Sequence, residues 1–237
     1  MSDYTDIKSS FLFRRLEEYQ QEKLIACAKF LMDIWDAPHL INYYTEHGYY
    51  HSTRILSKIQ SLPEFESKSA DRLEGTDIYI LLLAVIFHDI GMQCDLGVYT
   101  NVKKRVEVDF KVKFESEFKG EFTRENMIEL RKFHHLVTSA WLKEAKKTNN
   151  SSEELHSILL SIDEEILSSV CIVCQYHSKI DIKQCPRNDM GTDKLRLLAA
   201  LLRLGDELDI DKKRVNPVVP KSFYIPCDSS LYYYLHL

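Results

Sequence analysis

From Ile78 to Phe87 ten consecutive residues are apolar or aromatic, and the run ends in His88-Asp89. A helix that is apolar on every side has no face to give to water and must be surrounded by other elements, so this segment, Asp77 to Asp89, predicts the central helix of a bundle. At about half of the roughly 20 residues a membrane span needs, it reads as a core helix rather than a bilayer helix. A histidine and an aspartate at the end of the most buried helix are costly unless something pairs with them.

Turn residues are scarce, which agrees with a bundle. The chain has 7 Gly and 6 Pro in 237 residues, less than half of the about 12% that average usage gives. Tight hairpins depend on residues that accept positive φ, so a sheet-rich fold of this length would lack them. An all-α class follows. Apolar spacing and capping residues predict helices over Phe11–Trp35, His39–Ile59, Asp77–Asp89, Thr123–Ala145, Ser152–Leu160, Asp163–His177 and Lys194–Leu208. Two stretches depart from this pattern. Between Val106 and Phe114 apolar and charged residues alternate, which predicts a strand, although Val106, Phe110, Phe114 and Phe118 are also four apart and leave a helix as the alternative. The tail, 217–237, is aromatic and β-prone. A lone strand is unstable, so insert and tail are expected to form a small β-patch or to seek a partner chain. Residues 1–216 are expected to form a single helical domain, and 217–237 to begin a further domain or bind a partner.

The net charge is −5, which gives no global basic field for nucleic acid. Phosphate binding would therefore need a local site. Cys171 and Cys174 form a CxxC inside an apolar run, with no second CxxC, and read as buried packing thiols of a reducing compartment. The first ten residues, MSDYTDIKSS, lack the basic and apolar regions of a signal peptide. A cytoplasmic protein is expected.

Histidines and acids recur at the ends of the apolar helices: His47 and His51, His88-Asp89, His134-His135, His177, and Asp206 followed by Glu207, Asp209 and Asp211. As a set they point to a divalent metal, since imidazole with carboxylate suits Zn, Mn, Fe or Ni, or Mg with fewer histidines.

EHGYYHSTRIL, FHDIGM and LLRLGDELDID together resemble the H…HD…D signature of the HD-domain metal-dependent phosphohydrolases, over roughly residues 40 to 216. The resemblance implies a helical HD-domain bundle in which His51, His88, Asp89 and Asp206 hold one ion, with Asp89 bridging to a second. For that second ion it implies His135 and His177, with His134 as the alternative to His135. His47 is a neighbour of the site or a surface residue. Arg54, Lys179 and Arg203 are candidate phosphate-binding catalytic residues beside His88 and Asp89, and Lys103-Lys104-Arg105 is a candidate mobile clamp. Tyr43, Tyr44, Tyr49 and Tyr50 read as core, with stacking on a base as the alternative. Met92 after HDIG, and SKIDIKQCPRNDMG after His177, depart from the branch that opens cyclic di-GMP. HDIGMQCDL likewise departs from the deoxynucleotide triphosphohydrolase branch.

The resemblance implies hydrolysis of a phosphoester or phosphoanhydride in a nucleotide-type substrate, with metal-bound hydroxide as nucleophile. The rival expectation is a non-catalytic module that binds nucleotide or metal and signals through the tail to an attached domain, a partner or a second copy.

Overall fold

The chain enters through two short helices, α1 (Thr5–Ser9) and α2 (Phe11–Arg14), before α3 (Glu18–Asp36), where one long helix from Phe11 was expected. Ser10 breaks the path with an extended backbone, and its hydroxyl accepts from the Phe13 N–H, so it caps α2. The computed structural model describes residues 4–36, 47–62, 73–116, 122–150, 152–186 and 194–210. The remaining elements are α4 (Tyr49–Gln60), α5 (Gly75–Phe87), α6 (Leu96–Phe110), α7 (Arg124–Lys147), α8 (Glu153–Leu160), α9 (Glu164–Tyr176) and α10 (Lys194–Glu207). Single 3₁₀ turns cover Ile90–Gln93 and Ile182–Gln184. No strand occurs among the described residues, and the class is all-α.

The apolar run takes the central place its composition demands. In α5 every residue from Asp77 to Phe87 is buried, and the helix is packed by α2, α3, α4, α9 and α10. The stretch 75–93 is apolar and long enough to cross a membrane, yet 89% of its most apolar window is buried inside this fold. Its start is set by a capping box in which Glu74 and Asp77 exchange side-chain to backbone hydrogen bonds. Lys194 ties this end to α10 through Glu74 and Asp77, each at 3.0 Å.

The expected strand at 106–114 is instead the end of α6 and the segment after it. Val98, Tyr99, Val102 and Val106 are buried at helical spacing while Val108 is 67% exposed, so the four-residue period that begins upstream sets the phase. Lys111 ends the helix in the left-handed region at φ 53°, and Phe114 returns to the core against Tyr99 and Phe133. The tail, 217–237, the other half of the expected β-patch, lies outside the described residues, as do Tyr43 and Tyr44. Tyr49 is core, edge-on to Tyr4, and Tyr50 is 54% exposed.

The candidate clamp at 103–105 is fixed on α6. Lys103 donates to the Ser116 carbonyl at 2.9 Å and lies over the Phe114 ring, and Arg105 pairs with Glu144. Cys171 and Cys174 are fully buried, and burial pushes the Cys171 thiol up to about 11. They are packing groups, as read from the sequence.

Candidate metal centre

Four elements deliver imidazoles to one carboxylate. Asp89 sits in the turn between α5 and the first 3₁₀ segment and is buried. Its Oδ2 lies 3.1 Å from His88 Nε2, 3.6 Å from His51 Nε2 and 2.7 Å from His47 Nδ1. Its Oδ1 lies 3.2 Å from His134 Nε2 and 3.6 Å from His177 Nε2. Asp206, in the last turn of α10, closes the first group, its Oδ1 being 3.2 Å from His51 Nε2. The ligand atoms form two groups, His51-His88-Asp89-Asp206 and Asp89-His134-His177, with Asp89 common to both.

The helices orient the rings by a repeated device. His88, His134 and His177 each place Nδ1 on the backbone carbonyl three residues earlier: Val85 at 3.0 Å, Arg131 at 2.6 Å and Cys174 at 2.5 Å. A carbonyl only accepts, so Nδ1 carries the proton and Nε2 turns its lone pair to the centre. In His51 the Nδ1 partner is a carboxylate, Asp209, at 2.6 Å.

Two observations fit this donor set to a divalent ion. His51 Nε2 and His88 Nε2 are buried and make no hydrogen bond, although carboxylate oxygens lie 3.1 to 3.2 Å away. The atoms converge without pointing at one another, as donors around a shared centre do. The set is also all nitrogen and carboxylate, the chemistry of Mn, Fe, Ni or Zn. Charge is tightly balanced. Burial raises the Asp89 carboxyl, but the imidazoles of His88 and His47, with those of His134 and His177 against its other oxygen, hold it well below the usual range. Burial lowers His88, and Asp89 beside it wins, raising it to about 9. Asp206 is held low as well, because the imidazoles of His51 and His88 beside it outweigh the cost of its partial burial.

The family model of HD-CE matches residues 40–236. The chain belongs to the HD-CE family. Neither a curated protein nor a solved structure matches it. In this HD-CE chain five residues proposed from the sequence as metal ligands, His51, His88, Asp89, His177 and Asp206, do converge.

The sixth does not. The structure brings His134 to Asp89, whereas His135 is buried beside it with an unpaired Nδ1. Burial, reinforced by the charges of His134, His177 and Lys179, pushes His135 down to about 2, so it is a neutral core imidazole. Helical phase separates the two. Leu130, His134, Thr138, Trp141 and Ala145 form one stripe of α7 at three- and four-residue spacing. Thr138 in that stripe donates to the His88 carbonyl at 2.9 Å, which turns His134 toward the site. His134→Ala is expected to lower bound manganese from two ions towards one per chain, while His135→Ala keeps two and costs about 1–3 kcal/mol of stability. Elemental analysis and denaturant melts read the two effects separately.

Of the expected phosphate-binding cations, two are engaged elsewhere. Arg203 donates to the carbonyls of Tyr176 at 2.8 Å, His177 at 3.1 Å, Ile180 at 2.7 Å and Ser178, thereby fixing the turn that follows α9. Arg54 Nε donates to both oxygens of Asp209, at 2.9 and 3.1 Å. Lys179 is exposed and, among the described residues, meets no carboxylate. An open groove of about 630 Å³ between the N-terminal helices and α4 is lined by Arg54 but by none of the clustered ligands.

Sequence reasoning undervalued two further groups. His47 hydrogen-bonds Asp89 directly, and Gln93 holds the His47 carbonyl at 2.7 Å. Asp209 was one acid of a run. Its spacing of three from Asp206 was the available signal, since the end of α10 could then present both carboxylates to α4.

Proposed function

We propose that this chain is a metal-dependent phosphohydrolase that cleaves a phosphoester or phosphoanhydride, as a phosphodiesterase or a related activity, in a nucleotide-type substrate. The observation that supports it best is the division of Asp89, one oxygen toward His51 and His88 and the other toward His134 and His177. A pair of divalent ions, whether Mn, Mg, Fe, Ni or Zn, would supply Lewis acidity toward a phosphoryl oxygen and acidify a coordinated water. The chain's own residues hold neutral imidazoles and ionised carboxylates in place and keep the base of the site dry, and Lys179 offers the cation with the fewest competing partners. A small nucleotide in the cytoplasm is the assigned partner, rather than nucleic acid or a membrane, because a net charge of −5 gives no extended basic surface.

One observation favours the rival reading, a regulatory HD module that binds without turnover. Arg203 is committed to backbone carbonyls and Arg54 to Asp209, so few cations remain to hold a phosphate. Manganese-loaded protein assayed on a nucleotide panel and on bis-p-nitrophenyl phosphate decides between them. Turnover that disappears in Asp89→Asn is the expected result. Saturable nucleotide binding with no turnover on any substrate would select the module, which would then signal to an attached domain or second copy through the 217–237 tail.

A further inference from the structure

We infer that Asp209 is a positioning residue for the first metal group, and that Arg54 acts on Asp209 rather than on a substrate phosphate. The inference rests on the metal reading above, and extends it to two residues that ligate nothing.

The argument starts from the exception among the rings. His88, His134 and His177 are each oriented by a carbonyl of their own helix, a neutral acceptor fixed by helix geometry. His51 is oriented by a charged group from a different element. Asp209 Oδ2 lies 2.6 Å from His51 Nδ1, and both side chains are fully buried. A carboxylate on the far nitrogen fixes the tautomer and makes the near nitrogen a stronger donor, whereas a carbonyl does the first and much less of the second.

Arg54 supplies the second observation. It stands one turn after His51 on α4, and its Nε reaches both Asp209 oxygens. A buried carboxylate facing only an imidazole would be costly to keep ionised, and the guanidinium is its counter-charge. Asp209 follows Asp206 by three residues, so one helix end supplies a ligand and the group that orients the ligand opposite. His51 and Arg54 on α4, with Asp206 and Asp209 at the end of α10, thus form a four-residue clasp in which only His51 and Asp206 face the metal position.

Cobalt(II) titration, followed by its visible d–d absorption, tests this without turnover. Asp209→Asn keeps the size and an acceptor oxygen but removes the charge. It is expected to weaken the first cobalt-binding step by about 10- to 100-fold, with an altered absorption band and a second step at wild-type strength. Arg54→Gln, which leaves His51 and Asp209 in place, is expected to weaken the same step by a smaller factor, and Arg54→Lys to restore part of it. If Asp209→Asn does not fold, the Arg54 pair decides. A purely structural clasp would lower the thermal midpoint of the apo protein and leave cobalt affinity and band shape unchanged in the folded variants. That result overturns the inference. Wild-type protein that takes up no cobalt would instead overturn the metal reading beneath it.

Discussion

Asp89→Asn is expected to remove metal from both positions at once, an effect that no single histidine substitution should reproduce. The amide has the shape of the carboxylate but turns an NH₂ toward one of the two imidazole groups, where an anionic oxygen now stands 3.1 to 3.6 Å from two Nε2 atoms. Bound manganese should fall from about two per chain to near zero, and any turnover with it. A variant that keeps full metal content would overturn the site assignment. The metal-free protein should respond too, with a defined pH dependence. Asp89 raises His88 to about 9, above the ordinary value near 6.5. The pair therefore contributes stability that is fully present below about pH 6.5 and is lost as pH rises through about 9. Asp89→Asn should consequently destabilise the metal-free protein by a few kcal/mol at pH 6 and much less at pH 9.5. Denaturant midpoints at the two pH values measure the difference. For the same reason metal uptake near neutral pH should release protons.

How far the centre could be read from the sequence depended on what each residue has to satisfy. A histidine and an aspartate at the end of an all-apolar helix are conspicuous because burial without a partner is costly, and that logic singled out His88 and Asp89, while the resemblance to the HD-domain signature added His51, His177 and Asp206. Choices between neighbours had no such handle. His134 and His135 are adjacent and of one chemistry, and only the packing of Thr138 against His88 fixes which of them turns inward. Asp209 looked like one more acid at a helix end until α10 was laid against α4. Arg203 and Arg54 read as candidate phosphate-binding cations because a sequence shows charge but not the carbonyls or carboxylates that tertiary structure brings to it. The strand expected at 106–114 failed similarly. Alternation and four-residue spacing coexist there, and the helix running in from Leu96 decides between them.

The second large effect is expected at Gly91, which follows the His-Asp pair by two residues. A Cβ built there would lie 2.4 Å from the His134 carbonyl oxygen and 2.8 Å from the Thr138 nitrogen, both backbone atoms of α7. Neither can move without displacing the helix that carries His134. The contact is also bonded: the Gly91 N–H donates to Thr138 Oγ1 at 3.0 Å, and that hydroxyl donates to the His88 carbonyl at 2.9 Å. Overpacking of a close-packed interior costs about 1–3 kcal/mol and more when only backbone can yield, so Gly91→Ala should lose about 3 kcal/mol in a denaturant melt. The 3₁₀ turn would be pushed off α7, and Asp89 Oδ1 would draw away from His134 and His177. Metal at the second position should therefore weaken more than at the first. Gly75→Ala is the control. It lies at the first position of α5 with nothing within 4 Å of a new Cβ, and the substitution should be neutral or stabilising by up to about 1 kcal/mol. Equal stability for the two variants would mean that α7 does not approach the His-Asp turn as closely as the structure shows, and the route by which His134 reaches Asp89 would have to be redrawn.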